Sequence, residues 1–244
     1  MIVTFTDFGV AGPYLGQLHA ALLRDSPGSR VVDLMTGAPI ENPRAAAYLL
    51  AAFAKDFPAE TVFLCVVDPG VGTDQRLPVV LRAGDRWYVG PDNGLLDIVA
   101  RRYPPAACWE IIWQPKYLSA SFHGRDLFAP IAAWIDSGVD ISDRLCALPG
   151  GCARGWSDDL FEVIYIDHFG NAMTGIRSAS VAMNSVLVIG KQRLHQARTF
   201  GDATGSDRFW YENSSGLIEI AVNRGRAADQ LGLCIGELVE VEGF

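Results

Sequence analysis

Val66-Val67-Asp68-Pro69-Gly70-Val71-Gly72-Thr73 decides the reading of this chain. The apolar run Thr61–Val67 reads as a buried strand, and it discharges through Asp68 into a turn of proline and glycine. A strand that ends in an acid and then a Gly-rich turn delivers that acid to the carboxyl edge of a sheet. In open α/β sheets that edge is where ligands bind. Three further segments repeat the theme: Thr6-Asp7-Phe8-Gly9, Gly90-Pro91-Asp92-Asn93-Gly94 and Phe122-His123-Gly124-Arg125-Asp126. Four polar, glycine-flanked turns after apolar stretches in one half of a chain point to a single composite pocket.

Around these turns, β-type runs alternate with Ala/Leu-rich helical ones. Strands are expected at Ile2–Phe5, Arg30–Leu34, Thr61–Val67, Leu77–Leu81 and Trp87–Val89, and helices at Tyr14–Arg24, Ala45–Phe57, Leu95–Arg102 and Asp126–Ser137. Asn42-Pro43 supplies an N-cap and a first-turn proline for the second helix. The alternation predicts an α/β domain with a largely parallel sheet over residues 1–147. Residues 148–157, with three glycines and one proline, read as a linker. Beyond it, β-type runs at Leu160–Ile166, Ser185–Ile189, Phe209–Tyr211, Leu217–Val222 and Glu237–Val241 surround one short helix near Arg226–Leu231. They predict a smaller all-β, barrel-like domain over 158–244.

The 244 residues carry a net charge of −8, with a pI near 4.9. No basic stripe is available to neutralise phosphates, which argues against nucleic-acid or acidic-membrane partners. No stretch has the roughly 18 to 20 apolar residues of a membrane span. The N-terminus reads as a first strand and not as a signal peptide. Five cysteines (65, 108, 146, 152 and 234) include no C-x-x-C pair, so a zinc site finds no support. The expectation is reduced thiols in the cytoplasm, with Cys65 a small core residue.

Asp7 and Asp68 are the carboxylates expected at neighbouring strand ends, where an acid can accept a diol or orient a nucleophile. Asp92 fits ordinary turn chemistry better. His123, between Phe122 and Gly124 at a helix start, is the histidine placed to relay a proton near neutral pH. Neither G-x-x-x-x-G-K-[ST] nor G-x-G-x-x-G occurs around Thr73, which argues against a nucleoside triphosphate site. Asp167-His168-Phe169-Gly170-Asn171 and Asn213-Ser214-Ser215-Gly216 are polar turns beside strands. A ring plus an amide suits a heterocyclic base.

Taken together, these blocks resemble the S-adenosylmethionine hydroxide adenosyltransferases, relatives of the fluorinase and chlorinase enzymes. The similarity includes Ser121-Phe122-His123-Gly124-Arg125-Asp126 and runs over nearly the whole chain. The resemblance implies a homotrimer, with the pocket between one subunit's N-terminal domain and its neighbour's C-terminal domain. It implies attack of water or hydroxide on ribose C5′ of S-adenosylmethionine, giving adenosine and methionine. S-adenosylmethionine is the substrate, and no cofactor or metal is implied. Family roles place Asp7 on the ribose hydroxyls, Asp167 and Ser214 on the methionine moiety, and Phe169 and Asn171 on the adenine side. Phe8, Thr73, Ser121, Phe122 and Ser215 complete the substrate-binding set.

The family's water-activating set is an Asp, an Arg and a His. Asp68 and His123 match it. Gln75 stands where the arginine is expected, with Arg76 next. Glutamine lacks the fixed positive charge, so either Arg76 takes its place, Gln75 positions a water, or activity is weakened. The last case leaves a binding protein without turnover as an alternative. A halogenase is the other; His123-Gly124 argues against it, because halogenating relatives carry Tyr-Ser or Tyr-Gly there. Leu34-Met35-Thr36-Gly37 also departs from the Thr-His pair usual in the family.

Overall fold

The computed structural model describes residues 1–152, 155–205 and 207–242, and the chain divides into two compact units, Met1–Trp156 and Ser157–Phe244. The first unit contains β1 (Ile2–Thr6), α1 (Tyr14–Asp25), β2 (Val31–Met35), α2 (Pro43–Phe53), β3 (Val62–Val66), β4 (Pro78–Ala83) and β5 (Arg86–Pro91). It continues with α3 (Asp97–Arg102), β6 (Ala106–Ile111), α4 (Ala129–Asp136) and β7 (Leu145–Ala147). Seven strands form one sheet in the order β2-β1-β3-β5-β4-β6-β7.

The apolar runs of β1 and β3 are buried on both faces, as strands covered by helices must be. They pair in parallel from Ile2↔Val62 to Thr6↔Val66. Asp7 and Asp68 therefore leave adjacent strands at the same edge, one and two residues past a register pair. Asn42 caps α2 as expected, its Oδ1 accepting from Ala45 N at 3.0 Å. The apolar body of α2, Ala45–Ala52, is buried throughout.

The sheet is mixed and not largely parallel. Only β2-β1, β1-β3 and β3-β5 pair in parallel, whereas β4 runs antiparallel to both β5 and β6, and β7 antiparallel to β6. The cause lies at Gly84-Asp85. Gly84 takes φ +58°, and a two-residue turn joins only antiparallel neighbours. Strands β6 and β7 come from stretches whose sequence showed no β-type run.

Cys108 and Cys152 form a disulfide, which corrects the expectation of a wholly reduced set. Their 44-residue separation hides a short path. Strand β7 returns antiparallel along β6, Leu148 N bonds to Cys108 O at 2.9 Å, and Cys152 follows within the same loop. The cysteine pattern thus gives no support to a reducing compartment. Cys65 is buried and free, as expected. Ala153 and Arg154 of the expected linker lie outside the described residues. Trp156 is packed: its N donates to Asp97 at 3.1 Å, and its ring lies over Gly94.

The second unit holds β8 (Leu160–Ile166), β9 (Ala172–Arg177), β10 (Val186–Ile189), β11 (Gln192–Gln196), β12 (Arg208–Glu212), β13 (Leu217–Val222), α5 (Ala227–Leu231) and β14 (Glu240–Glu242). Its order is β14-β10-β11-β12-β13-β9-β8, antiparallel except at β11-β12. Backbone bonds from Phe161 and Val163 to Gly236, Glu237 and Val239 draw the approach to β14 against β8 and curl the sheet into a half-barrel. Ile176, Leu187, Ile189, Trp210, Ile218 and Ile220 fill its core. Strands β9 and β11 were not expected. Gly175 masks β9 because a Cβ there would lie 2.5 Å from that of Leu160. No helix among the described residues is long and apolar enough to cross a membrane.

Candidate active site

At the carboxyl edge of the first unit's sheet, Asp7, Phe8, Glu41, Asp68, Ser121, Phe122 and His123 line a cavity of about 220 Å³. The strand ends supply Asp7 and Asp68. Phe8 follows Asp7, Glu41 comes from the loop before α2, and the loop before α4 supplies Ser121, Phe122 and His123. Gly72 holds the two loops together: it takes φ +77°, and a Cβ there would lie 2.2 Å from Ala120 O. Only glycine meets both demands.

The Asp68 loop turns back so that Arg76, and not Gln75, reaches the site. Arg76 Nε donates to Asp68 Oδ1 at 3.1 Å, a second guanidinium nitrogen bonds Oδ2, and the same nitrogen lies 3.0 Å from His123 Nδ1. The Asp68 and Arg76 side chains are only 3% and 4% exposed. A two-point, buried carboxylate–guanidinium pair of this kind is strong and rigid. Arg76 also lies over the Phe128 ring, 5.5 Å from its centroid. The Gln75 side chain is solvent-exposed, and of the two expected residues it is Arg76 that lies against Asp68 and His123. A bend of one residue separates the two, and counting along the chain does not reveal it.

Arginine has no acceptor, so the Arg76–His123 contact fixes the imidazole: Nδ1 accepts, and a neutral ring carries its proton on Nε2. Burial and then the Arg76 charge lower the His123 pKa below its ordinary 6.5, favouring that neutral ring. A π-helical turn, Gly124–Phe128, follows His123 at once and leads into α4. Such turns are frequent at functional sites. Asp126, paired with Arg125 and held below the usual carboxylate range, accepts from Ser119 N at 3.0 Å and secures this loop.

Asp7 accepts from Glu41 N at 3.1 Å, and burial raises its pKa. Glu41 itself escaped the sequence reading. Its φ of +53°, uncommon for a non-glycine residue, is the structural sign of its role in shaping the cavity. Phe8, Tyr14 and Phe122 form an aromatic wall, with Phe8 and Tyr14 centroids 5.6 and 5.4 Å from that of Phe122. Tyr14 was missed because helical spacing explained it. Thr73 lies on the surface, and its hydroxyl donates to Gly70 O at 2.7 Å, within the turn itself.

The remaining expected residues belong to the second unit. Asp167 and Asn171 close one turn: Asn171 N donates to Asp167 Oδ1 at 2.8 Å, and Phe169 is 72% exposed beside them. Ser214 lines a separate cavity of about 620 Å³ with Asn213, Trp210 and Arg198. Ser215 N donates to Asn213 Oδ1 at 3.0 Å. His195 is exposed, and in the first unit His19 pairs with Asp33 at 2.8 Å. Among the described residues no cluster of three or more His, Cys, Asp or Glu could hold a metal.

A buried Asp–Arg pair joined to a half-buried His beside an aromatic-walled cavity, on the ligand edge of an α/β sheet, defines an enzyme that handles a small-molecule substrate. The model of the S-adenosylmethionine hydroxide adenosyltransferase N-terminal domain matches residues 2–144, and that of the C-terminal domain matches 161–240. The chain belongs to this family. It is 37% identical to an (R)-S-adenosyl-L-methionine hydrolase of Salinispora tropica, covering 97% of this chain and 95% of the relative. The Thermus thermophilus protein of the same name is also 37% identical, over 93% and 94%. A crystal structure of an uncharacterized conserved protein from Thermotoga maritima superposes with a TM-score of 0.88 at 33% identity, covering 99% of both chains.

Proposed function

We propose that this protein hydrolyses S-adenosyl-L-methionine by attack of water on ribose C5′, releasing adenosine and L-methionine. One observation carries the reading: Arg76 bonds both Asp68 and His123, two residues that line the cavity. The oxygen of water forms the new bond to C5′, the C5′–S bond breaks, and its electron pair returns to sulfur. The leaving group is a neutral thioether and needs no acid. The work lies in drying and aiming the nucleophile. His123 donates through Nε2 to the water oxygen and aims it. Asp68 takes the departing proton, and Arg76 fixes both partners while supplying positive charge. Asp7 accepts the ribose diol, and Phe8 and Phe122 give the sugar an apolar wall.

Asp167 with Ser214 and Ser215 hold the methionine part, and Phe169 with Asn171 the adenine. A cavity of about 220 Å³ is smaller than the roughly 300 Å³ and upward usual for enclosed ligands. The first unit alone therefore does not enclose the substrate. The family resemblance supports a homotrimer in which the neighbouring subunit's second unit completes each site. The reaction requires no cofactor, and we assign the protein to the cytoplasm on its family reading alone. The relatives' names further suggest the (R) configuration at the sulfonium centre.

Mass spectrometry of each sulfonium epimer incubated with the enzyme in chloride buffer tests the reaction and its epimer preference. Adenosine and methionine, formed from the (R) epimer by wild type and not by Asp68→Ala, are expected. Formation of 5′-chloroadenosine would establish a halogenase. Binding with unchanged substrate would establish a binding protein.

A further inference from the structure

We propose that Glu219 is a positioning residue that locks the turns Asp167–Asn171 and Asn213–Gly216 into the geometry that receives substrate. The proposal rests on the placement of those turns at the substrate site given above. Glu219 interrupts the apolar strand Leu217-Ile218-Glu219-Ile220-Ala221-Val222, all six residues of which are buried. Ile218, Ile220 and Val222 point into the half-barrel core, so the alternation of the strand turns Glu219 to the opposite face. It is nevertheless only 2% exposed. A carboxylate in such a place needs donors, or its burial is costly.

Two donors converge on it. Tyr211, directly opposite in the β12-β13 register, donates its hydroxyl to Oε1, and Asn213 Nδ2 donates to Oε2 at 2.9 Å. The Asn171 side chain lies beside it and favours its charged form. Burial raises the pKa of Glu219, and the donors from Tyr211, Asn213 and Asn171 oppose that shift.

The consequence reaches both turns. With Nδ2 committed to Glu219, the Asn213 carboxamide must direct Oδ1 at the backbone, where it accepts from Ser215 N and Leu217 N, each at 3.0 Å. Those two bonds shape the Ser214–Ser215 turn. On the other side, Asn171 donates its amide nitrogen to Asp167 Oδ2 at 3.3 Å, and its side chain also favours the charged Glu219. A single acceptor-only group thus sets the orientation of the Asn213 carboxamide on one turn and lies against that of Asn171 on the other. A glutamine offers one acceptor oxygen in place of two, so its amide nitrogen must face either the Asn213 amide or the Tyr211 hydroxyl.

The test compares wild type, Glu219→Gln and the double variant Glu219→Gln/Asn213→Asp, following adenosine release from S-adenosylmethionine alongside thermal unfolding. The double variant exchanges donor and acceptor and preserves both the pair and its charge. The single change is expected to raise KM by about tenfold or more with kcat within about threefold, since an unpaired amide distorts the binding turns and not the water-activating set. The double variant is expected to recover most of that loss. A single variant with KM within about twofold of wild type overturns the proposal. So does a loss confined to kcat and Tm, or a double variant no better than the single one. Wild-type protein that neither binds nor consumes S-adenosylmethionine instead removes the reading of the site itself.

Discussion

Asp68 and Arg76, eight residues apart, face one another as a buried two-point ion pair, and the arginine extends the contact to His123 at 3.0 Å. Gln75, the neighbour that a count of positions selects, projects into solvent. The pair separates two substitutions that look equivalent on paper. Gln75→Ala is expected to keep kcat/KM within about twofold of wild type. Arg76→Met leaves the Asp68 carboxylate buried without its partner, which costs about 3–5 kcal/mol of stability. Adenosine release and thermal unfolding of both variants measure the contrast. An inactive Gln75→Ala would return the role to Gln75.

The pH dependence follows from two opposite shifts. His123 titrates below 6.5, and its neutral form is the aiming group, so kcat is expected to hold at neutral pH and fall on acidification through that lowered pKa. The sign for stability is the same. A base whose folded pKa is depressed contributes fully above the unfolded value, and that contribution is lost as pH falls through the folded one. Asp7, raised by burial, protonates earlier on acidification than an ordinary aspartate and weakens diol binding, which appears as a rise in KM. Rate profiles of His123→Asn should lose the kcat limb and keep the KM limb.

Gly72→Ala tests the joint between the loops. A methyl group there meets Ala120 O at 2.2 Å with φ at +77°, so backbone must move. A cost of about 2 kcal/mol in stability is expected from the strain. A fall in kcat larger than this destabilisation explains is also expected, since Asp68 and Ser121 sit on the two loops that separate. Unfolding and turnover measured on one preparation decide the matter.

Thiol titration checks the cysteine pairing. Cys146 and Cys234 are exposed and should react in the native protein. Buried Cys65 should react only after unfolding, and Cys108 with Cys152 only after reduction as well. Reduction should lower stability by about 2–4 kcal/mol, the usual contribution of a disulfide. Five thiols without reductant would exclude the bond.

The parts of this architecture set by local chemistry were legible in the residues. Apolar β1 and β3, the Asn42-Pro43 start of α2 and the glycine turn after Asp68 were all read in place, because burial and turn geometry leave few alternatives there. The antiparallel half of the sheet was not. β6 and β7 carry alanine, cysteine and a glutamate, and they become strands only because β4 offers an edge to pair with. Site chemistry followed the same division. Asp7, Asp68 and His123 stood beside glycines, whereas Glu219 lay inside an apolar run and Glu41 owed its place to a backbone angle.

The register of β1 against β3 makes the cavity a device of two tempers. Asp7 and Asp68 are spaced by the sheet repeat at the ends of β1 and β3, strands buried along their whole length, where amide hydrogens should be among the slowest to exchange. The proposed aiming group His123 and the Phe122 ring hang on the Ser119–Gly124 loop, outside that frame. Libraries confined to this loop could therefore retune the nucleophile's approach while the sugar anchor stays put. The fold keeps the ruler and leaves the pointer adjustable.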